Sequence, residues 1–209
     1  MQKQNDSQKK PSRKKYIIPT IIIFLCILAG YIYMIVTWTK ASEAIIRQTI
    51  AEQLNKDQND LTDEDFMEVT EITISQKELS DIKPLEKLSN LQILELNTVA
   101  VRNIKPLSGL VNLKRMSLIN TQVSNLQPIK GLAHLQSLRL VDSQVSDLEP
   151  LKGLTNLQNL YLSLTQVSDL EPIKGLKNLV ELWLEHCNNI TDQQVEDLQK
   201  ALPKLTISR

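Results

Sequence analysis

Leu154-Thr-Asn-Leu157-Gln-Asn-Leu160-Tyr-Leu162, continued by Thr165-Gln-Val167-Ser-Asp-Leu170-Glu-Pro172-Ile173-Lys-Gly175, is one copy of a 22-residue unit. Leu88, Leu110 and Leu132 open earlier copies, and Leu176 opens a fifth that changes character halfway. Counted from the opening leucine, apolar residues recur at places 1, 4, 7, 9, 14, 17 and 20. Proline holds place 19 as Pro106, Pro128, Pro150 and Pro172. An earlier segment joins in the same register, with Phe66, Val69, Ile72, Ile74, Leu79, Ile82, Pro84 and Leu85. No unit this short buries its apolar side alone, so the period predicts a solenoid in which neighbouring copies cover one another. Places 6–10 predict a short strand with 7 and 9 inward and 6, 8 and 10 outward. The proline predicts an extended or 3₁₀ return across the far side.

These residues resemble the leucine-rich repeat in its 22-residue, internalin-type form, from about Phe66 to Leu205. The resemblance implies an α/β leucine-rich-repeat solenoid with a parallel concave β-sheet, and a family that binds many unlike partners. It also implies an asparagine at place 12 bonding neighbouring backbone turns. Here that place reads Val99, Thr121, Ser143, Thr165 and Cys187. Thr, Ser and Cys still offer a hydrogen to a carbonyl, whereas valine has none to offer. The ladder is expected to lapse at Val99, leaving a looser turn.

The ends of the solenoid need covers, because a terminal strand exposes unpaired N–H and C=O groups. Thr62 begins a short helix with Asp65 placed as the acid of a capping box, delivering Phe66 and Val69 to the open edge. Thr191-Asp-Gln-Gln194 opens a second capped helix with Val195, Leu198 and Leu202 as its inner stripe, and Leu202, Leu205 and Ile207 restart the repeat. Ile46, Ile50 and Leu54, with Ile45 beside them, give 41–56 a helical stripe that either prolongs the preceding helix or packs on its neighbour.

Upstream, residues 1–15 carry Lys3, Lys9, Lys10, Arg13, Lys14 and Lys15 against Asp6 and read as a disordered basic tail. Tyr16 to Trp38 holds no charged side chain. At about 1.5 Å per residue it makes a helix of roughly 34 Å, long enough for a ~30 Å hydrocarbon core. Tyr16 marks one interface, and Tyr31, Tyr33 and Trp38 the other. A cleaved signal peptide has an apolar core of about 7–15 residues and a small-x-small exit. This run is longer, and more apolar residues follow Ala29-Gly30. The reading is therefore an uncleaved transmembrane signal anchor, with the basic flank cytoplasmic and the repeats outside a membrane, most simply a bacterial one.

The boundaries that follow are a tail at 1–15, an anchor at 16–38 and a helical stalk and linker at 39–61. An N-terminal cap and first repeat fill 62–87, four repeats 88–175, and the terminal repeat with its C-terminal cap 176–209. Beyond residue 15 the chain holds 18 basic and 23 acidic residues, which gives no support to nucleic-acid binding. Cys26 and Cys187 lie too far apart in this organisation to pair.

Candidate sites thin out quickly. Asp57, Asn59 and Glu68 echo a calcium loop, but Leu61 and Thr62 occupy its fifth and sixth positions. Glu185, His186 and Cys187 are consecutive, so they do not converge as metal ligands, and His134 reads as a turn residue. No phosphate-cradling glycine loop, nucleophile elbow or H-E-x-x-H stretch is present, so neither catalysis nor a cofactor is expected.

The outward strand positions say more. Place 8 reads Thr73, Glu95, Ser117, Arg139, Tyr161, Trp183; place 10 reads Ser75, Asn97, Ile119, Val141, Ser163, Glu185; place 6 adds Ile93, Arg115 and Glu181. Single exposed apolar residues carry no message, but Trp, Tyr and Arg gathered on consecutive strands are the usual anchors of an interface. A protein or peptide partner is expected on Arg115, Ile119, Arg139, Val141, Tyr161 and Trp183. Six strands at ~4.8 Å and five residues at ~3.3 Å give a face on the order of 400 Å². That suits a peptide-like partner or clustered copies better than a large complex. The competing role is a structural subunit of a membrane or envelope complex, held by its membrane helix and the Ile46, Ile50 and Leu54 stripe with the repeats as spacer. Weak self-association through the membrane helix and stalk is a separate expectation.

Overall fold

The computed structural model describes residues 32–34, 37 and 39–209, and the chain divides into two units, Met1–Thr37 and Trp38–Arg209. In the first, positions 32–34 and 37 are helical, and Thr37 Oγ1 donates to the Met34 carbonyl at 2.8 Å. The expected tail 1–15 and, apart from those few positions, the expected anchor 16–38 lie outside the described residues. Among the described residues no helix is long and apolar enough to cross a membrane.

The second unit is organised by the alternation of side chains in short strands. β1 (Glu71–Ile74), β2 (Ile93–Asn97), β3 (Arg115–Ile119), β4 (Ser137–Arg139), β5 (Asn159–Tyr161), β6 (Glu181–Trp183) and β7 (Thr206–Ser208) form one sheet in sequence order, each pair parallel. One repeat advances the chain by one strand, so Leu138 faces Leu160 and Leu160 faces Leu182. The sheet has seven strands, one more than the six counted for the face, because Ile207 pairs with Leu182 after the C-terminal helix. At places 1, 4, 7, 9, 14, 17 and 20 every leucine, isoleucine, valine or methionine of the four full copies is at most 1% exposed.

The returns are 3₁₀ turns at Lys83–Lys87, Lys105–Gly109, Gln127–Ile129, Glu149–Leu151 and Glu171–Ile173, each with proline in its first two positions. Proline is tolerated there because its missing N–H has no partner to lose. Place 16 aims each turn: Asp81, Asn103, Asn125, Asp147 and Asp169 accept the place-18 N–H through Oδ1 at 2.8–3.0 Å. These are side-chain turns that substitute for a backbone bond.

The side chains that tie one turn to the next differ from the expected set. At place 12, Thr121, Ser143 and Thr165 donate to Leu118, Leu140 and Leu162 within their own turns, at 3.3, 2.7 and 2.7 Å. Cys187 reaches back a turn, its Sγ donating to the Leu162 carbonyl at 3.1 Å. The regular crosslink stands at place 3. Asn90, Asn112, Asn156 and Asn178 donate Nδ2 to the carbonyls of Met67, Ser89, Ala133 and Thr155, all at 2.8–2.9 Å. His134 occupies that place in the third copy and makes no such bond among the described residues. Val99, the expected weak point, is 3% exposed and packed in the core.

Place 11 has its own demand. Thr98, Asn120, Asp142, Leu164 and His186 all have φ between 52 and 61°. Asn and Asp tolerate that left-handed conformation, whereas Thr and Leu are strained in it.

The N-terminal end of the sheet is covered by α1 (39–54) and α2 (Asp63–Glu68). The stretch read as a stalk is packed: Ile46 and Ile50 are fully buried in the same core as the leucines, and Leu54 and Ile45 lean on it. Ser42 is also fully buried, its Oγ accepting the N–H groups of Ser80 and Asp81 at 3.2 and 3.3 Å. The Thr62–Asp65 capping box is complete. Asp65 is 2% exposed, and Lys56 pairs with it. Hydrogen bonds from Lys56 and the Thr62 backbone hold the Asp65 carboxyl below its ordinary range despite burial. The opposite end carries α3 (Asp192–Ala201), whose Thr191–Gln194 box is also complete. Gln194 Nε2 donates to the Ser168 carbonyl at 2.8 Å, fastening the helix to the preceding copy.

Candidate functional site

Residues at one place of successive repeats sit side by side on the sheet, so the outer face is a set of rows. Register pairs Ser117 with Arg139, Arg139 with Tyr161, Tyr161 with Trp183 and Trp183 with Ser208. Three of these are in contact. The Arg139 guanidinium lies 4.8 Å from the Tyr161 ring centre, and the Tyr161 and Trp183 rings stack at 5.8 Å with 26° between planes. Tyr161 is half-buried, while Trp183 is 41% exposed and so is not covered by the C-terminal helix. A cation and two rings stacked along one row make a flat, stiff, partly apolar strip.

Carboxylates border the strip. The Tyr161 hydroxyl donates to Glu181 Oε2 at 3.1 Å. Glu185 accepts hydrogen bonds from Ser163 and, at 2.8 Å, from Ser208 Oγ. The Ser163 bond is the main reason its carboxyl sits below the usual range; partial burial opposes this, and Ser208 adds to it.

On the other flank, Arg115 of β3 pairs in register with Ser137 of β4. Arg115, Arg139, Glu95, Ser117 and Ser137 line a hollow of about 90 Å³, floored by Leu94 and Met116. Neither guanidinium is ion-paired to a carboxylate among the described residues. Ser117 donates to Asn97 Oδ1 at 3.1 Å, and Glu95 accepts only a long 3.5 Å contact from Thr73.

Of the six expected residues, Arg139, Tyr161 and Trp183 are joined in one stack and Arg115 stands beside it. Ile119 and Val141 are half-buried at place 10, Ile119 in register with Asn97. Sequence reasoning did not single out Ser137 and Ser208. The first is legible at place 6, and the second lies on β7, in the restarted half-repeat that the six-strand face left out. Larger hollows lie off this strip. One of about 430 Å³ is lined by Met67, Asn90, Gln92, Asn112, Lys114 and His134 beside the strand starts. Another of about 470 Å³ lies against the 3₁₀ turns at Asp81, Lys83 and Lys105.

The remaining candidates separate in space. Glu185 is on the outer face, His186 is exposed in its left-handed turn, and Cys187 is buried. Asp57 Oδ1 accepts the N–H and Nδ2 of Asn59 at 2.8 and 2.9 Å, and Thr62 is a helix cap.

Residues 155–200 match the family described as Leucine Rich repeats (2 copies). No curated protein sequence matches the chain. Among solved structures, an internalin (inlF) from Listeria monocytogenes shares 26% identity with a TM-score of 0.59, over 79% of this chain and 55% of its own length. An internalin C2 (inlC2) from the same organism shares 26% identity with a TM-score of 0.63, over 77% of this chain and 80% of that one. A leucine-rich-repeat protein of Leptospira interrogans, at 23% identity and a TM-score of 0.61 over 69% of this chain and 38% of that one, shares the fold. The chain thus carries leucine-rich repeats in an internalin-like arrangement and spans about half the length of the first of these structures.

Proposed function

We propose that the chain is a recognition module that binds a protein or peptide partner on the outer face of its sheet and does no catalysis. The observation that carries this reading is the Arg139–Tyr161–Trp183 stack. The inward positions repeat one apolar chemistry, whereas this outward row gathers the residue types that supply most interface energy. Seven strands give six ~4.8 Å spacings, hence a face of roughly 29 by 16 Å, on the order of 450 Å². A standard complex buries ~800 Å² per side, so one extended segment of a partner suits the area better than a whole globular surface.

We further propose that the module acts outside a bacterial cytoplasmic membrane, held by the segment 16–38 as a single-pass anchor with residues 1–15 inside. The support is the uncharged length of that segment and its basic flank. Protease added to intact protoplasts should remove the repeats and spare residues 1–38; full protection of the repeats would place them inside instead. The structural-subunit alternative loses its main support with α1, whose Ile46 and Ile50 are spent on the chain's own core.

The binding reading is tested with Trp183→Ala in the full chain. Capture of a cell-surface or secreted partner should fall by ~2 kcal/mol or more, roughly thirtyfold, while the melting transition moves little. A stability loss matching the binding loss would remove this row as a site.

A further inference from the structure

The outer face is not uniformly apolar: its centre is positive and its flanks are negative. Arg115 and Arg139 face a hollow of about 90 Å³ between β3 and β4, a space suited to a carboxylate rather than a side-chain ring. Ser117 and Ser137 line it. Neither guanidinium has a carboxylate partner among the described residues. The Arg139 guanidinium also lies over the Tyr161 ring, 4.8 Å from its centre. An arginine fixed against a ring keeps its planar donor fork presented, with less rotamer freedom to lose on binding. Two strands further on, the Tyr161 and Trp183 rings stack on each other along the row, with Trp183 the more exposed of the two. Beyond the stack, Glu181 and Glu185 are engaged by Tyr161, Ser163 and Ser208, so they form a negative border.

We infer, resting on the recognition reading above, that the partner is an acidic peptide segment with one carboxylate seated between Arg115 and Arg139 and an apolar side chain three residues away on the Tyr161–Trp183 rings. The spacing follows from the sheet. From the β3/β4 hollow to the β5/β6 rings is two strand spacings, about 9.6 Å. A polyproline-II chain rises ~3.1 Å per residue and repeats its face every three residues, about 9.3 Å. A flat β-conformation repeats its face every two residues at about 6.7 Å and overshoots at four, so it fits the two sites less well. Glu95 stands on the wall of the hollow and repels an incoming carboxylate, which makes it a handle on the sign of the ligand.

The probe is a bead-bound hexapeptide library in three pools. Glu, Gln or Lys is fixed at the second residue, Leu at the fifth, and proline-rich mixtures fill the rest. The full chain should be retained on the Glu pool at least fivefold more than on the Gln pool, and least on the Lys pool. Arg115→Gln and Arg139→Gln should each collapse the Glu-over-Gln preference, and Glu95→Gln should widen it. Circular dichroism on each variant checks that the repeats remain folded; all three positions lie on the solvent side of the sheet. Equal retention on the three pools, including retention on none, overturns the inference, as does a preference that survives both arginine substitutions. Loss of partner capture in Trp183→Ala with equal retention on the pools would leave the recognition reading standing and remove the acidic ligand. Intact capture in a folded Trp183→Ala would remove both.

Discussion

The two faces of the sheet are built from the same strands and obey different rules. Inward, Leu94, Met116, Leu138, Leu160 and Leu182 repeat one chemistry and are all buried. Outward, the next residue of each strand runs Glu95, Ser117, Arg139, Tyr161, Trp183 without repeating. The inward positions are constrained by both neighbouring copies, so they converge. An outward side chain meets only its row and solvent, so its chemistry is free to serve something outside the fold.

The largest effect separating the faces should come from Leu160→Ala, which empties a fully buried site between two copies and should cost ~2–5 kcal/mol. Ser137→Ala, outward one strand away and with no hydrogen bond from its hydroxyl among the described residues, should stay within about ±0.5 kcal/mol. Urea melts of the two purified variants make the comparison, and equal midpoints would dissolve the distinction between faces.

A middle-sized effect tests whether the amide row at place 3 belongs with the invariant set. Asn156→Ala deletes a 2.8 Å bond to the Ala133 carbonyl and should cost about 1 kcal/mol. The reverse change, His134→Asn, supplies the missing member and should add about as much. Should His134→Asn destabilise, the imidazole has a use that the row does not reveal.

The smallest effect concerns the backbone. Leu164 has φ 60° and is half exposed, so its side chain pays for a left-handed turn without filling the core. Leu164→Asn should raise stability by roughly 0.5–1 kcal/mol, because asparagine visits that region more readily. The same replacement at Asn120 is already made by the natural sequence, which serves as the internal reference.

Much of this architecture is legible in the sequence. Period and alternation place the leucines, and the proline at place 19 anticipates the 3₁₀ returns. Thr62 and Thr191 announce both helix caps through a spacing of three. The row Arg139, Tyr161, Trp183 follows from the period alone, because one place in successive copies must be adjacent. Other features are written in the sequence but carry a weaker signal. Leu-x-Asn-Leu is written out at Asn90, Asn112, Asn156 and Asn178, whereas the resemblance implies the crosslink at place 12. The left-handed place 11 was hidden because Asn120 and Asp142 signal it while Thr98, Leu164 and His186 do not. The packing of α1 is of another kind: the burial of Ser42 depends on the N–H groups of Ser80 and Asp81, which nothing in its own neighbourhood reveals.

His134 has a mechanical consequence. A stack whose units touch only their neighbours comes apart where the coupling between two units is thinnest. The amide row lapses between the second and third full copies, where β3 and β4 pair at three positions, as every later pair of strands does. Amide exchange should therefore resolve two cooperative blocks that meet at this seam. Arg115 stands on one side of it and Arg139 on the other. A carboxylate held by both would act as a rivet across the joint, and a bound partner would register as the merging of two unfolding events into one.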